Sequence, residues 1–302
     1  MKRKIFKLGK STLVVSLPAK WIKKYNISKG DELNIEEKER SISFSTEKET
    51  SQTEVEINLT NLNKDLIRWY LIGAYVRGYD QIKIIFEKQE NMFFAQEVIN
   101  SLIGLAIIEQ GNSYCIAGEV SGTTDRQFDN IFRRIFLLII SIAEDSFAAL
   151  EKSDNESLKG IERRDLDVDK FINFCLRILN KRGYKEYAKT PVIYNFLQEL
   201  GELGDNYTSL SDDLLDVDLS KMRKELKTVY DETNKLIRIF YELFYDFEKE
   251  KILEFYNKRK SIIKTMAELK NIRPNEITIL YHLRKINENV LELFKLKVAG
   301  HF

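Results

Sequence analysis

The sequence predicts a multidomain α+β protein in which a small β-rich unit, a short α/β segment and an all-helical part follow one another. The first observation is that short runs of alternating apolar and polar residues, separated by turn residues, fill the first fifty positions. The second is that strand signals end near Thr124, after which helical periodicity continues to the end. The third is the length of 302 residues, which favours two or three domains.

Positive charge is concentrated at the N-terminus. The first thirty residues carry nine basic side chains and no acidic one, whereas the next thirty carry nine acidic and three basic ones. Because the formal net charge of the whole chain is only +1, attraction to a polyanion must come from this local patch. The simplest polyanion to propose is the phosphate backbone of DNA. A solvated edge strand, which often carries lysine to block aggregation, is the alternative.

The N-terminal elements are short and are marked by turn residues. Strands are predicted at residues 4–8 and 12–17 around Gly9, and a helix over residues 18–25. Pro18 suits the first turn of that helix, because its fixed φ is helical and its missing N–H has no partner there. The helix is expected to bury Trp21, Ile22 and Tyr25.

The rest of this unit is a turn and a hairpin. Asn26 is a plausible left-handed stop for the helix, Gly30-Asp31 forms a turn, and the hairpin is formed around residues 38–41. A unit of about 50 residues with so few apolar side chains buries too little of its surface to be stable alone. Dimerisation is therefore predicted.

Residues 1–48 resemble the AbrB/SpoVT swapped-hairpin DNA-binding domain. The landmarks occur in order: a basic strand, Gly9, Ser11, the SLP of residues 16–18, a short helix with Trp21, Ile27-x-x-Gly30-Asp31 and a hairpin. The resemblance implies that two chains interleave their hairpins into one β-barrel, and that basic residues of the N-terminal strands and nearby loops contact DNA. The DNA-binding candidates are Lys2, Arg3, Lys4, Lys7, Lys10, Lys20 and Lys24.

A small α/β subdomain is predicted over residues 49–120. Residues 49–60 are polar and read as a linker or an edge strand. The predicted elements that follow are helices at 63–76 and 93–103 and strands at 81–86, 106–109 and 114–116. Trp69 and the other aromatic residues at helical spacing are expected in the core, and no chemistry is predicted for this segment.

Residues 124–302 are predicted to form a bundle of six antiparallel helices, because long periodic segments alternate with short breaks. The predicted helices are 124–153, 155–182, 188–217, 219–248, 249–270 and 275–298. In the first of these, Phe128, Phe132, Ile135 and Ile139 belong to an apolar face wide enough for burial by more than one neighbour.

The segment IERRDLDVDKFINFCLRILNK, residues 161–181, resembles the second helix of the three-helix repeat of PhoU-like phosphate-uptake regulators. In that repeat an acidic residue and an aspartate recur four positions apart on facing helices. Asp165 and Asp169 match this spacing, and Asp205 takes the aspartate position in the following helix. The resemblance implies a bundle of two three-helix repeats. Together with the N-terminal domain, it resembles the archaeal branch of these regulators.

The carboxylates of these helices are the candidate metal site. Pairs at i and i+4 share a helix face, and two pairs on adjacent helices can surround a divalent or iron cation with oxygen ligands. The candidates are Asp165, Asp169, Glu202, Asp205 and Glu288. Gly201 and Arg284 stand where acids would be, and an arginine brings charge of the wrong sign. A solvated or salt-bridged helix face is the alternative.

Several function classes lack support in the sequence. Cys115 and Cys175 show no zinc or redox spacing and are expected as buried, reduced thiols of a cytoplasmic protein. With two histidines and no glycine-rich phosphate loop, the sequence does not predict an enzyme. The longest apolar stretch, residues 135–143, is too short to cross a bilayer, and no transmembrane segment is expected.

The function that these features predict is a homodimeric transcription regulator linked to phosphate uptake, with the N-terminal domain on DNA and the bundle as sensor. The alternative is an adaptor that binds a phosphate transporter or a signalling protein, in which the N-terminal domain serves only dimerisation. Binding to genomic DNA would distinguish these two readings.

Overall fold

The computed structural model describes residues 2–38, 41–46, 53–120 and 125–301. Its strands are β1 (Ile5–Leu8), β2 (Thr12–Val15), β3 (Asn34–Lys38), β4 (Ser41–Ser45), β5 (Glu54–Asn58), β6 (Gln81–Ile85), β7 (Leu105–Gln110) and β8 (Tyr114–Glu119). Its α-helices are α1 (Ala19–Lys24), α2 (Lys64–Arg77), α3 (Gln89–Ser101), α4 (Asp125–Lys152), α5 (Asn155–Lys159), α6 (Ile161–Arg182), α7 (Thr190–Leu215), α8 (Lys224–Tyr245), α9 (Lys249–Glu268) and α10 (Pro274–His301). The predicted turn at 39–40, the linker at 49–52 and the helix start at 124 lie outside the described residues.

The N-terminal unit, residues 2–46, consists of two antiparallel hairpins on either side of α1. In the first hairpin Ile5 lies opposite Val15, and Leu8 lies opposite Thr12. Gly9 has φ = 71° at the turn, a conformation that glycine adopts without steric cost. The second hairpin pairs β3 with β4. Both predicted hairpins are thus confirmed.

The helix α1 begins directly after Pro18, whose carbonyl oxygen accepts the N–H groups of Trp21 and Ile22 at 2.9 and 3.0 Å. Asn26, with φ = 47°, is the left-handed residue after this helix, as predicted. Trp21, Ile22 and Tyr25 were expected to be buried, but all three are only half-buried. The reason is that a single chain offers this helix only thin, two-stranded neighbours.

The spacer, residues 53–120, is a four-stranded sheet in the order β5-β6-β8-β7, packed on α2 and α3. The edge strand β5 runs parallel to β6, whereas β6, β8 and β7 pair antiparallel. Alternate residues of the central strands form the buried face, with Ile82, Ile84, Cys115 and Ala117 fully covered. The spacer therefore has a hydrophobic core of its own.

Trp69 corrects the expectation that the aromatic residues of α2 are core. The buried face of the helix carries Ile67, Leu71 and Tyr75, and Trp69 lies on the opposite side with 66% of its surface exposed. Helical spacing alone could not assign the face, because apolar residues occur all around this helix.

The helical bundle, residues 125–301, packs α4, α6, α7, α8 and α10 around a second core. The predicted apolar face of α4 is confirmed, since Phe132, Ile135 and Ile139 are buried. Phenylalanine rings fill one end of this core: the ring centroid of Phe244 lies 5.2 Å from that of Phe136 and 5.0 Å from that of Phe196. The single helix predicted at 155–182 is instead two helices, α5 and α6, with a break at Gly160.

The spacer is fixed to the bundle by polar side chains of α6. Arg177, 2% exposed, donates to the carbonyl oxygens of Tyr75 and Tyr79 at 2.7 and 2.8 Å and to the Glu119 carboxylate at 2.8 Å. Lys181 donates to Glu119 at 2.6 Å and also pairs with Asp80. The helix α6 thereby bonds to the Tyr75 carbonyl in the last turn of α2 and to the Tyr79 carbonyl just beyond it, where a helix end leaves carbonyl groups open to further donors.

No helix in the described part of the chain is both long enough and apolar enough to cross a membrane.

Candidate nucleic-acid interface and bundle carboxylates

The candidate DNA-binding residues all lie exposed in the N-terminal unit. They fall into three places: residues 2–4 before β1, the β1–β2 hairpin with Lys7 and Lys10, and the outer side of α1 with Lys20 and Lys24. Lys7 lies on β1 opposite Leu13, and Lys10 lies in the turn beside Gly9. Flexible lysine side chains on an exposed hairpin can reach phosphate groups without a change of backbone.

The same hairpin also exposes large apolar side chains on both of its faces. Ile5 and Leu13 on one face are 66% and 68% exposed, and Phe6 and Leu8 on the other are 56% and 64% exposed. The second hairpin exposes Ile35. A two-stranded hairpin with apolar residues on both faces is not stable alone in water, and exposed apolar surface of this kind is typical of interaction sites.

Among the bundle carboxylates, Asp165 is the most deeply placed. It lies on α6 and is 7% exposed, and its Oδ2 accepts the Thr208 hydroxyl at 2.9 Å, whereas its Oδ1 has no hydrogen-bond donor. Burial raises the pKa of Asp165 to about 7, and the charges of Asp169 and Asp205 act in the same direction. At neutral pH this carboxyl is close to half protonated.

Asp205, on α7, is the partner of Asp165. The two carboxyl groups are within hydrogen-bonding reach of each other, and burial raises the pKa of Asp205 as well. The pKa of Asp169 is raised to about 6, because protein atoms around the Asp169 carboxyl displace water from it, although the residue as a whole is exposed. A proton held between Asp165 and Asp205 would supply the donor that Oδ1 lacks.

Two cations from other elements face these acids. Arg68, on α2 of the spacer, lowers the pKa of Asp169, and Lys285, on α10, lowers that of Asp205. Glu202 adds negative charge beside Asp205. The acidic cluster thus lies where the spacer and three bundle helices meet, a neighbourhood that the sequence did not reveal.

Glu288 lies apart from this cluster. Its carboxylate accepts a hydrogen bond from Arg259 of α9 at 2.9 Å. Across residues 2–38, 41–46, 53–120 and 125–301, no three His, Cys, Asp or Glu side chains are grouped so that they could hold a metal ion. The five candidate ligands therefore do not form a ligand set in this conformation, and a cation in the bundle stays a prediction.

Thr208 and Gly204 are the residues of this region that sequence reasoning missed. Gly204 is helical, and a Cβ added there would come within 2.3 Å of Asp165 Oδ1. The missing side chain lets α6 and α7 approach so closely that the two carboxyls can meet. The sequence LGELGDNYT did contain a signal for this close approach, because a glycine inside a helix usually has a packing reason.

Two of the comparisons with known proteins give matches. Residues 6–42 match the profile of the family described as antidote-toxin recognition MazE, bacterial antitoxin. The structure is similar to the phosphate transport system regulatory protein PhoU from Streptococcus pneumoniae, with a TM-score of 0.52 and 15% identity, over 59% of this chain and 94% of that one. The helical part has the PhoU fold. Among curated proteins, none matches the sequence.

The two matches confirm the predicted two-part architecture, a MazE/AbrB-like domain at the N-terminus and a PhoU fold in the helical bundle. Asp165 and Asp169 lie on α6 of this helical part, and Asp205 lies on α7. At 15% identity the likeness concerns the fold alone. What the protein does is argued below from its own residues.

Proposed function

We propose that this protein is a homodimeric DNA-binding regulator, in which the N-terminal unit contacts the DNA backbone and the PhoU-fold bundle acts as the sensor. The observation that carries the proposal is the exposed set of lysine and arginine side chains just before β1, on the MazE-matching hairpin and on α1. No acidic residue interrupts this set before Asp31. Phosphate is the anion that such a surface most readily attracts.

Dimerisation follows from the exposed apolar residues of the first hairpin. Covering one such side chain contributes about 1.5–3 kcal/mol, and a two-fold dimer covers each of them twice. A second copy of the chain is the partner that carries the same self-complementary hairpin. The dimer would bring two basic surfaces to one duplex.

Affinity and sequence preference have separate origins in this proposal. Lysine contacts to phosphate supply affinity that falls with salt and carries little sequence information. Arg3 is the candidate for reading bases, because its planar guanidinium can grip guanine through two hydrogen bonds. Arg3 lies before β1, where the chain can follow a groove.

The test is the salt dependence of DNA binding by the full chain. The double variant Lys4→Ala/Lys7→Ala should weaken binding to all sequences alike and reduce the slope of log K against log salt by about 3–4, counting four contacts per dimer. The control is Lys249→Ala/Lys260→Ala, which removes two exposed lysines of α9. An unchanged slope in the first variant, or equal loss in both, would overturn the proposed face.

A link to phosphate uptake is the narrower part of the proposal. The fold is shared with a regulatory protein of a phosphate transport system, and this likeness suggests a phosphate-related signal for the bundle. Genome-wide recovery of bound DNA, with and without phosphate starvation, tests it. Enrichment near phosphate-transport genes that changes on starvation is the expected result, and unchanged or scattered occupancy would refute the link.

The same fold supports a second candidate, an adaptor that docks on a phosphate transporter or a signalling protein. In that case the N-terminal unit only dimerises the chain. The adaptor predicts weak, indiscriminate retention of genomic DNA and an unchanged slope in the Lys4/Lys7 variant. The DNA experiment therefore separates the two candidates.

A further inference from the structure

An aromatic cavity lies at one end of the bundle, away from the acidic cluster. It has a volume of about 360 Å³ and is formed by the start of α4, the segment that follows α6, and the end of α8. Its inner walls are Phe128, Phe132, Phe244 and Ile193. This volume lies within the range of small-molecule sites in proteins.

The aromatic rings around this cavity are held in place by one another. The Phe132 and Phe244 ring centroids are 5.6 Å apart, and the Tyr184 ring stands edge-on to Phe128 at 5.7 Å. Tyr245 continues the wall beside Phe244, with centroids 5.2 Å apart. Walls that are preformed in this way lose little conformational entropy when a flat ring enters.

Water is a poor occupant for such a space. A volume of this size corresponds to roughly 12 water molecules at about 30 Å³ each, and those against the phenylalanine rings would have few polar partners. An aromatic ligand would replace that water and gain ring contacts at offset or edge-on geometry. The walls therefore select a planar, apolar ring system.

The rim of the cavity adds positive charge. Lys185 is held by Asp129 at 2.9 Å, so that its charge is balanced. Arg133 donates its Nε–H to the Tyr241 hydroxyl at 3.2 Å, and among the described side chains no carboxylate forms an ion pair with it. Its planar guanidinium keeps terminal donors that suit a carboxylate.

A phenol on the rim supplies a further donor. Partial burial raises the pKa of Tyr245 to about 12, so its hydroxyl keeps its proton at neutral pH. The Tyr245 ring lies against Tyr241, the residue that orients Arg133, with centroids 5.1 Å apart. The cationic and phenolic groups thus lie on one side of the opening.

We propose that this cavity is a binding site for a small planar aromatic acid, whose ring lies against Phe128, Phe132 and Phe244 and whose carboxylate pairs with Arg133. A ligand bound there would contact α4, α8 and the segment between α6 and α7 at once. It would act as an effector of the bundle, independent of the anion that the N-terminal unit binds.

Calorimetric titration of the full chain with 2-naphthoate and with its neutral isostere 2-naphthamide tests the proposal. Naphthoate should saturate one site per chain with a dissociation constant of about 1 mM or tighter. Naphthamide should bind about tenfold more weakly, because a hydrogen-bonded charge pair is lost. Absence of saturation by naphthoate, or equal affinity for the two probes, would overturn the assignment.

Three variants locate the site. Arg133→Gln should abolish the preference for naphthoate over naphthamide. The control is Arg134→Gln, at the neighbouring position, where the guanidinium lies over the Phe171 ring. This control should leave the preference intact. Ile193→Phe fills the cavity and should weaken both probes at least tenfold, with folding checked by its melting temperature. Equal effects of the two arginine variants would place the probe elsewhere, and the Arg133 result stands even if Ile193→Phe unfolds.

Discussion

The N-terminal unit and the helical bundle of this chain reach stability by different routes. In the bundle, large apolar residues such as Leu200, Leu210 and Leu214 of α7 are fully covered by neighbouring helices. In the β1–β2 hairpin every residue is exposed, including Ile5 and Leu13. The bundle thus carries its own core, whereas the described residues of the N-terminal unit bury no large apolar side chain, and the proposed dimer would supply the missing core.

Leu13→Ser should give the largest effect, because it removes apolar contact twice per dimer. We expect dimerisation to weaken by about 3–6 kcal/mol, measured by sedimentation of the full chain. The control is Leu137→Ser, which changes a leucine of α4 that is 46% exposed. If Leu137→Ser dissociates the dimer and Leu13→Ser does not, the interface lies on the bundle and the contrast between the two regions is lost.

Arg177→Met tests the boundary between the spacer and the bundle. The change leaves Glu119 with Lys181 alone and removes the buried guanidinium that donates to the Tyr75 and Tyr79 carbonyls, which should cost about 3–5 kcal/mol of folding free energy in urea denaturation. Arg163→Met, at an exposed position of the same helix, should change stability by less than about 0.5 kcal/mol. Similar small effects of both variants would show that the junction does not hold the two parts together.

Asp165→Asn should make the bundle less sensitive to pH. The folded pKa of Asp165 lies above its unfolded value, so ionisation costs no stability below about pH 4, costs progressively more as pH rises to about 7, and costs a constant amount above that. In chelator-treated protein the variant should exceed the wild type by about 2–4 kcal/mol at pH 8 and match it near pH 4. A difference that is the same at both pH values would contradict the burial of this charge.

Gly204→Ala and Gly201→Ala form a matched pair on α7 with opposite expected signs. Alanine favours a helix over glycine by about 1 kcal/mol, and at Gly201 the nearest side-chain atom would be 3.4 Å away, so this variant should gain stability. At Gly204 the new Cβ meets the Asp165 carboxylate, and we expect a loss of about 1–3 kcal/mol by thermal unfolding. Equal gains in both variants would mean that α6 and α7 do not approach closely there.

Features that depend on neighbours along the chain could be predicted from the sequence. Gly9, Pro18 and Asn26 mark turns and ends through their own backbone preferences, and they lie where they were expected. The long helices followed from apolar periodicity in the same way. At Gly160 a local signal went unused, since a glycine inside a periodic stretch was taken as part of one helix.

Features that depend on contacts between residues far apart in the sequence could not be predicted. Arg177 sits in an ordinary helical pattern, and its burial follows from carbonyl groups about 100 positions away. Asp165 and Asp205 were paired only through a family resemblance, whereas Thr208 and Arg68 had no signal at all. Trp69 is the opposite case, an apolar residue that is exposed. The elements that pack on a helix decide which of its apolar sides is buried.

The helix α6 has one further consequence. Asp165 lies near its start and Arg177 near its end, about 18 Å apart along a continuous helix at 1.5 Å per residue. A stiff rod anchored at both ends moves as a whole. A change in the spacing of Asp165 and Asp205 would therefore be passed along α6 to α2, and from α2 to the parallel strands β5 and β6 that pack on it.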